Sequence, residues 1–136
     1  KKDADMPKQT LEQTLLNIAT NLRVEMVETF EDNKLYGTCL ECSKALVDKL
    51  NQAGIKSEIV IGFIAVDEPL FTDDWEEIFD PLHYWVSVGD YFVDITCSQF
   101  AEHMSDDYNI QYLEEVFVSK KDEAVLHIPK KVYRYD

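Results

Sequence analysis

Three cysteines and three histidines, set among 27 acidic residues, are the first candidates for nucleophilic and general-base chemistry in this 136-residue chain. The thiols are Cys39, Cys42 and Cys97, and the imidazoles are His83, His103 and His127. A thiol attacks a carbonyl as its thiolate, and the start of a helix favours that ion through unpaired N–H groups and the helix dipole. Cys39 follows Gly37-Thr38 and opens a run of helical periodicity, so it is the thiol best placed for nucleophilic work. A cysteine on an apolar helix stripe is equally well a core residue, so a partner must decide between the two readings.

The partner comes from a hairpin. Tyr84-Trp-Val-Ser-Val88 and Tyr91-Phe-Val-Asp-Ile95 flank Gly89-Asp90, a strong two-residue turn signal between two strand-like runs. In that register Val88 faces Tyr91, Trp85 faces Asp94 and His83 faces Thr96. His83, Trp85, Asp94 and Thr96 then share one face, and His83 and Asp94 are diagonal neighbours, their Cβ atoms about 7 Å apart. The other face carries Tyr84, Val86, Val88, Tyr91, Val93 and Ile95, a core surface. A carboxylate beside a histidine fixes the tautomer and supports the imidazolium, completing a nucleophile–base–orienter series of Cys39, His83 and Asp94. A three-residue loop would put Asp94 on the wrong face.

The remaining elements must bring Cys39 to that face. Leu11, Leu15, Ile18, Ala19 and Leu22 lie at helical spacing and predict a first amphipathic helix over Thr10–Val24. A second helix is expected from Thr38 or Cys39 to about Ala53, stopped by Gly54, with Cys39, Cys42, Leu46, Leu50 and Ala53 on one stripe. The β-branched run Glu58–Val66 does not alternate and predicts a central strand covered on both faces. Weaker strands are expected at Glu114–Ser119 and Ala124–Ile128, with a short helix around Ile110–Glu115. The order gives an α+β fold, helices first and then a mostly antiparallel sheet.

Three blocks carry a resemblance. Gly37-Thr-Cys39, with Ala45, Leu46, Leu50 and then Gly54-Ile55, resembles the cysteine segment of the transglutaminase-like superfamily, part of the wider papain-like fold. His83-Tyr-Trp85-Val86 and Val93-Asp94-Ile95-Thr96 are similar to its histidine and aspartate blocks. Gln99-Phe100 then follows, as in bacterial papain-fold toxin and effector domains. The resemblance spans Gly37 to Phe100. It implies a cysteine at the N-terminus of a helix packed on an antiparallel sheet, with histidine and aspartate on neighbouring strands. It also implies a Cys39 nucleophile, a His83 base and acid, and an Asp94 orienter, acting as a protease, glutamine deamidase or transglutaminase without a cofactor or metal. An oxyanion hole would pair the Cys39 N–H with an upstream donor, for which Asn33, Tyr36 and Thr38 are candidates and Asn33 is preferred. Trp85 and Gln99 are the further residues expected around the substrate. Cys42 and the acidic stretch before His83 lie outside the family pattern.

Other readings remain open. Cys39-x-x-Cys42 at a helix start also suits thiol–disulfide exchange, with Val24–Phe30 as a preceding strand. Cys39, Cys42, Cys97 and His103 could form a zinc set, although the hairpin register puts Cys97 on the core face with Ile95. Cys42 and Cys97 otherwise read as buried hydrophobes, and His103 and His127 as surface residues. Leu70–Phe79, with Phe71, Trp75 and Phe79 among acids, could serve a non-catalytic binding module or wall a substrate cleft ahead of His83.

Composition limits the partners. The chain has the size of one domain, residues 1–136, and its 46% hydrophobic content argues against disorder. A formal charge of −14 disfavours nucleic acid and reads as a solvated acidic surface, which could also attract a basic partner; the resemblance implies a protein or peptide substrate. The longest apolar run, Ile59–Val66, is too short to cross a bilayer. No secretory leader is visible and the first residue is Lys1, so a processed product or a domain of a longer protein is expected. The resemblance accommodates a domain of a secreted bacterial effector or a cytoplasmic protein.

Overall fold

In the computed structural model, residues 10–29, 38–65, 83–98 and 114–134 are described. Thr10 begins the first helix: its hydroxyl accepts the N–H of Gln13 at 3.1 Å, satisfying a donor that the helix itself cannot use. Helix α1 covers Leu11–Thr29 and buries Leu15, Ala19 and Leu22. It runs beyond the expected end at Val24, so the strand considered from Val24 is helical as far as it is described.

Helix α2 covers Cys39–Gln52 and buries Cys42, Leu46, Val47 and Leu50. Gly54 ends it at φ +77°, and the Ile55 N–H reaches back to the Leu50 carbonyl at 2.8 Å. A left-handed glycine with that long return bond is the usual helix stop. Ala53, expected on the apolar stripe, is exposed because the chain has already turned outward there.

Five strands follow: β1 Glu58–Ile64, β2 His83–Val88, β3 Tyr91–Asp94, β4 Phe117–Lys120 and β5 His127–Tyr133. They form one sheet in the order β4-β3-β2-β1-β5, every neighbouring pair antiparallel. The fold is α+β. Strands β4 and β5 lie later than the runs expected from Glu114 and Ala124; Ala124 belongs to the turn before β5. Residues 114–116 form a bend, and the rest of the helix expected there lies outside the described residues. No described helix is long and apolar enough to cross a membrane.

The two faces of the sheet have different jobs. Val86, Val88, Val93, Ile95 and Ile59 pack with both helices in one core. Val60, Ile64, Trp85, Phe92 and Phe117 form a second core on the opposite face, joined by Ala124, Leu126 and Cys97. Strand β1 is therefore buried on both sides, as its unbroken apolar run requires. The hairpin register is the expected one, with Val88 opposite Tyr91, Ser87 opposite Phe92 and Val86 opposite Val93. Gly89 supplies φ +56° at the turn.

A β-bulge completes the frame. Ile61 pairs with Lys131 but Gly62 pairs with Pro129, so β5 slips by one residue against β1. Side chains alternate along a strand, so the slip changes which face the first part of β5 presents. Without it Ile128 would face the second core; with it His127 does. Gly62 makes the bulge possible, since a Cβ there would overlap the Ile128 carbonyl oxygen and stand 2.7 Å from the Trp85 ring.

Candidate active site

The site forms around Asp94, the last residue of β3, on the face away from the helices. The carboxylate is 2% exposed and accepts four hydrogen bonds. Oδ2 lies 2.7 Å from His83 Nε2 and 2.9 Å from His127 Nε2. Oδ1 accepts the Thr96 N–H at 2.9 Å and the Thr96 hydroxyl at 3.2 Å. Thr96, two residues on, bends the chain back to its own aspartate. Arg23 of α1 anchors the same corner by donating to the carbonyls of Ile95 and Glu115.

His83 opens β2 and is 1% exposed. Its Nε2 is engaged by Asp94, and the Cys39 side chain lies near enough to the same imidazole to raise its pKa. Cys39 is the first residue of α2 and is partly exposed. The α2 N-terminus thus meets the sheet at the start of β2, where a residue from the helix side can reach the histidine. Thr38, at the helix N-cap, makes no side-chain cap; its hydroxyl lies 3.4 Å from Cys42 Sγ.

The two histidines differ electrostatically although they share one oxygen. Burial alone would lower the His83 pKa, but the charge of Asp94, its hydrogen bond and the Cys39 contact outweigh that and raise it to about 10. Burial would raise the Asp94 pKa; the charge of His83 and the hydrogen bonds from both histidines bring it far below the carboxylate range. For His127 burial prevails over the Asp94 hydrogen bond, and its pKa is lowered. The cause is visible: its ring stacks on Phe117 at 4.5 Å and meets Trp85 edge-on at 4.8 Å. A proton on the cluster therefore resides on His83, and His127 is neutral.

Two expectations need correction. His127 is not a surface residue but is 3% exposed and bonded to Asp94, because the bulge turns it inward. Cys97 does not stay on the helix-side face with Ile95. The strand ends at Asp94 and a 3₁₀ turn follows, which returns Cys97 to the second core beside Asp94 and His127. Cys42 and Cys97 are buried as expected, and burial raises both thiols.

His83 and Asp94 come together as the hairpin register required, and the helix start brings Cys39 near the imidazole. Trp85 is fully buried, with its ring 5.8 Å from that of His83, so it packs the imidazoles from behind. Asn33, Tyr36, Gln99, His103 and the stretch Leu70–Phe79 lie outside the described residues. Asp94, Cys97 and His127 each bring a potential metal ligand atom within 4.8 Å of the others. Both Asp94 oxygens already accept hydrogen bonds there, and burial favours the protonated Cys97 thiol. Of the zinc set considered from the sequence, His103 lies outside the described residues, and Cys97 lies with Asp94 and His127.

The signal that could have found His127 lies in Gly62 and Pro129. A glycine inside a β-branched run marks a bulge or close backbone approach, and a proline in a strand marks an edge. Comparison with protein-family models, curated proteins and solved structures finds no match for the chain.

Proposed function

We propose that this protein is a cysteine-dependent acyl-transfer enzyme acting on amide bonds, with Cys39 as nucleophile, His83 as base and acid, and Asp94 as orienter, on a papain-like, transglutaminase-like frame. The observation that carries the proposal is a partly exposed thiol at a helix start beside a buried imidazole that is itself hydrogen-bonded to a buried aspartate. Since Asp94 occupies Nε2, Nδ1 is the nitrogen that shares a proton with the thiol, and the raised His83 pKa places that proton on the imidazolium when the sulfur attacks. The sulfur then bonds to the carbonyl carbon, and the oxyanion that forms is held by the Cys39 N–H at the start of α2. As the C–N bond breaks, the imidazolium returns its proton to the leaving amine. A water or a second amine, deprotonated by His83, attacks the thioester and restores the thiol.

Hydrolysis of a peptide bond, deamidation of glutamine and crosslinking share these steps and differ in the groups that occupy the acyl and acceptor positions. The formal charge of −14 favours a basic protein or peptide as substrate.

The test compares two thiols. Cys39→Ala should abolish hydrolysis, ammonia release or amine incorporation on a basic, glutamine-containing peptide library, and should remove the thioester adduct seen by mass spectrometry. Cys42→Ala should retain activity and lose about 1–2 kcal/mol of stability, the cost of a small core cavity. Activity that survives Cys39→Ala but not Cys42→Ala would overturn the assignment.

A further inference from the structure

We infer that His127 is a positioning residue for the Cys39–His83–Asp94 site: its neutral ring donates Nε2–H to Asp94 Oδ2, keeping that carboxylate ionised and fixed in rotation beneath His83. The inference rests on the triad reading above and adds a member to it. Three observations support it. First, His127 Nε2 stands 2.9 Å from the oxygen that His83 approaches at 2.7 Å, so one carboxylate oxygen receives both rings. Thr96 holds the other oxygen, so the carboxylate cannot turn without losing several donors together. Second, His127 sits among Phe117, Trp85 and Phe92, an apolar box that disfavours the imidazolium and so leaves the ring neutral. A neutral imidazole facing a carboxylate through Nε2 must carry its proton on Nε2. Third, the bulge at Gly62 exists at a position where no other residue fits, and its consequence is to turn His127 inward.

The other titratable or charged groups around Asp94 are Cys39 from the α2 N-terminus, Cys97 after β3 and Arg23 from α1. None of them gives Asp94 a hydrogen bond among the described contacts, whereas His127 does. Removing a donor from an anion concentrates its charge and makes any protonation of the coupled group easier. Loss of the His127 N–H therefore moves the acid limb of Cys39 reactivity to higher pH. A charge-assisted hydrogen bond is large enough to shift that limb by roughly one pH unit.

The experiment measures Cys39 alkylation by iodoacetamide against pH, with the modified peptide identified by mass spectrometry. It uses the unsubstituted protein, His127→Phe and His127→Gln. Phenylalanine fills the aromatic box without a donor, and glutamine places an amide N–H near the Nε2 position. The expected result is an acid limb raised in His127→Phe and restored toward its original place in His127→Gln. Identical limbs in all three proteins, or equal shifts in both variants, would overturn the inference while leaving the triad standing. If Cys39 of the unsubstituted protein reacts as an ordinary thiol and His83→Ala does not slow it, the triad reading itself fails. Imidazole nitrogen shifts of the unsubstituted protein give a check that depends on no variant's folding. A neutral His127 protonated on Nε2 is expected, and a proton on Nδ1 alone would overturn the inference.

Discussion

At the scale of single residues, Asp94 is the group on which the others depend. Its two oxygens accept from His83, His127 and Thr96, in a position closed to water. A buried carboxylate survives as an ion only with such compensation, and its depressed pKa reflects those donors and the charge of His83. Asp94→Asn keeps the shape but turns one acceptor into a donor, so an N–H of the amide must face an N–H of histidine or threonine. The expected cost is about 3–5 kcal/mol of stability, the range found when one partner of a buried pair is removed. Urea unfolding of wild type and variant checks it, and a loss below about 1 kcal/mol would contradict the account. The same variant should slow the reaction by about 10²–10⁴-fold, because the imidazole loses the partner that orients it.

At the scale of elements, two short devices bring the site together. The Gly89-Asp90 turn sets the hairpin register and with it the face that His83 and Asp94 share. The Gly62 bulge sets the face of β5 and with it His127. These devices differ in how they can be tested. Gly89 has open space around a built Cβ, and its constraint is the positive φ alone. Gly62 is closed in by the Ile128 carbonyl and the Trp85 ring, so any side chain must displace β5 or the indole. Gly62→Ala is expected to cost about 1–3 kcal/mol by overpacking, and more if the bulge is lost. It should also move the His127 imidazole resonances, since a register without the bulge would turn that ring away from Asp94. A variant with unchanged stability and unchanged His127 signals would show that the bulge is not what holds the ring.

At the scale of the whole molecule, the two histidines give opposite pH dependences to folding. His83 is raised, so its contribution is complete below its ordinary value of 6.5 and is lost as pH climbs through about 10. Asp94 is depressed, so its contribution is present above 3.8 and is lost as pH falls through its lower folded value. His127 is also depressed: the unfolded chain gains a proton below 6.5 that the folded chain resists, so stability falls with acidification. Comparing each variant with wild type removes the general effect of a net charge of −14. The advantage in Tm of wild type over His83→Gln should shrink between pH 7 and pH 10. Its advantage over His127→Phe should grow as pH rises through 6.5. Slopes of the same sign in the two comparisons would contradict the proton placement.

What the sequence by itself determined was local. Helical spacing and Gly54 marked α2 with Cys39 at its start, and Gly89-Asp90 fixed the hairpin parity, so the sharing of one face by His83 and Asp94 followed from a two-residue repeat. Such features depend on neighbours a few residues away, and the chain carries them openly. Only the tertiary structure decided that Cys39 meets His83 at the start of β2, that Cys97 turns back beneath Asp94, and that His127 faces inward. The last depends on a one-residue slip between β1 and β5, strands separated by the whole hairpin. Alternation along His127–Tyr133 alone would have pointed the ring to the other face. Parity within a strand is written in the sequence, but the register between distant strands is settled by how Gly62, Trp85 and Ile128 pack. The thiol–imidazole–aspartate series was therefore legible in outline, while the second histidine required the folded sheet.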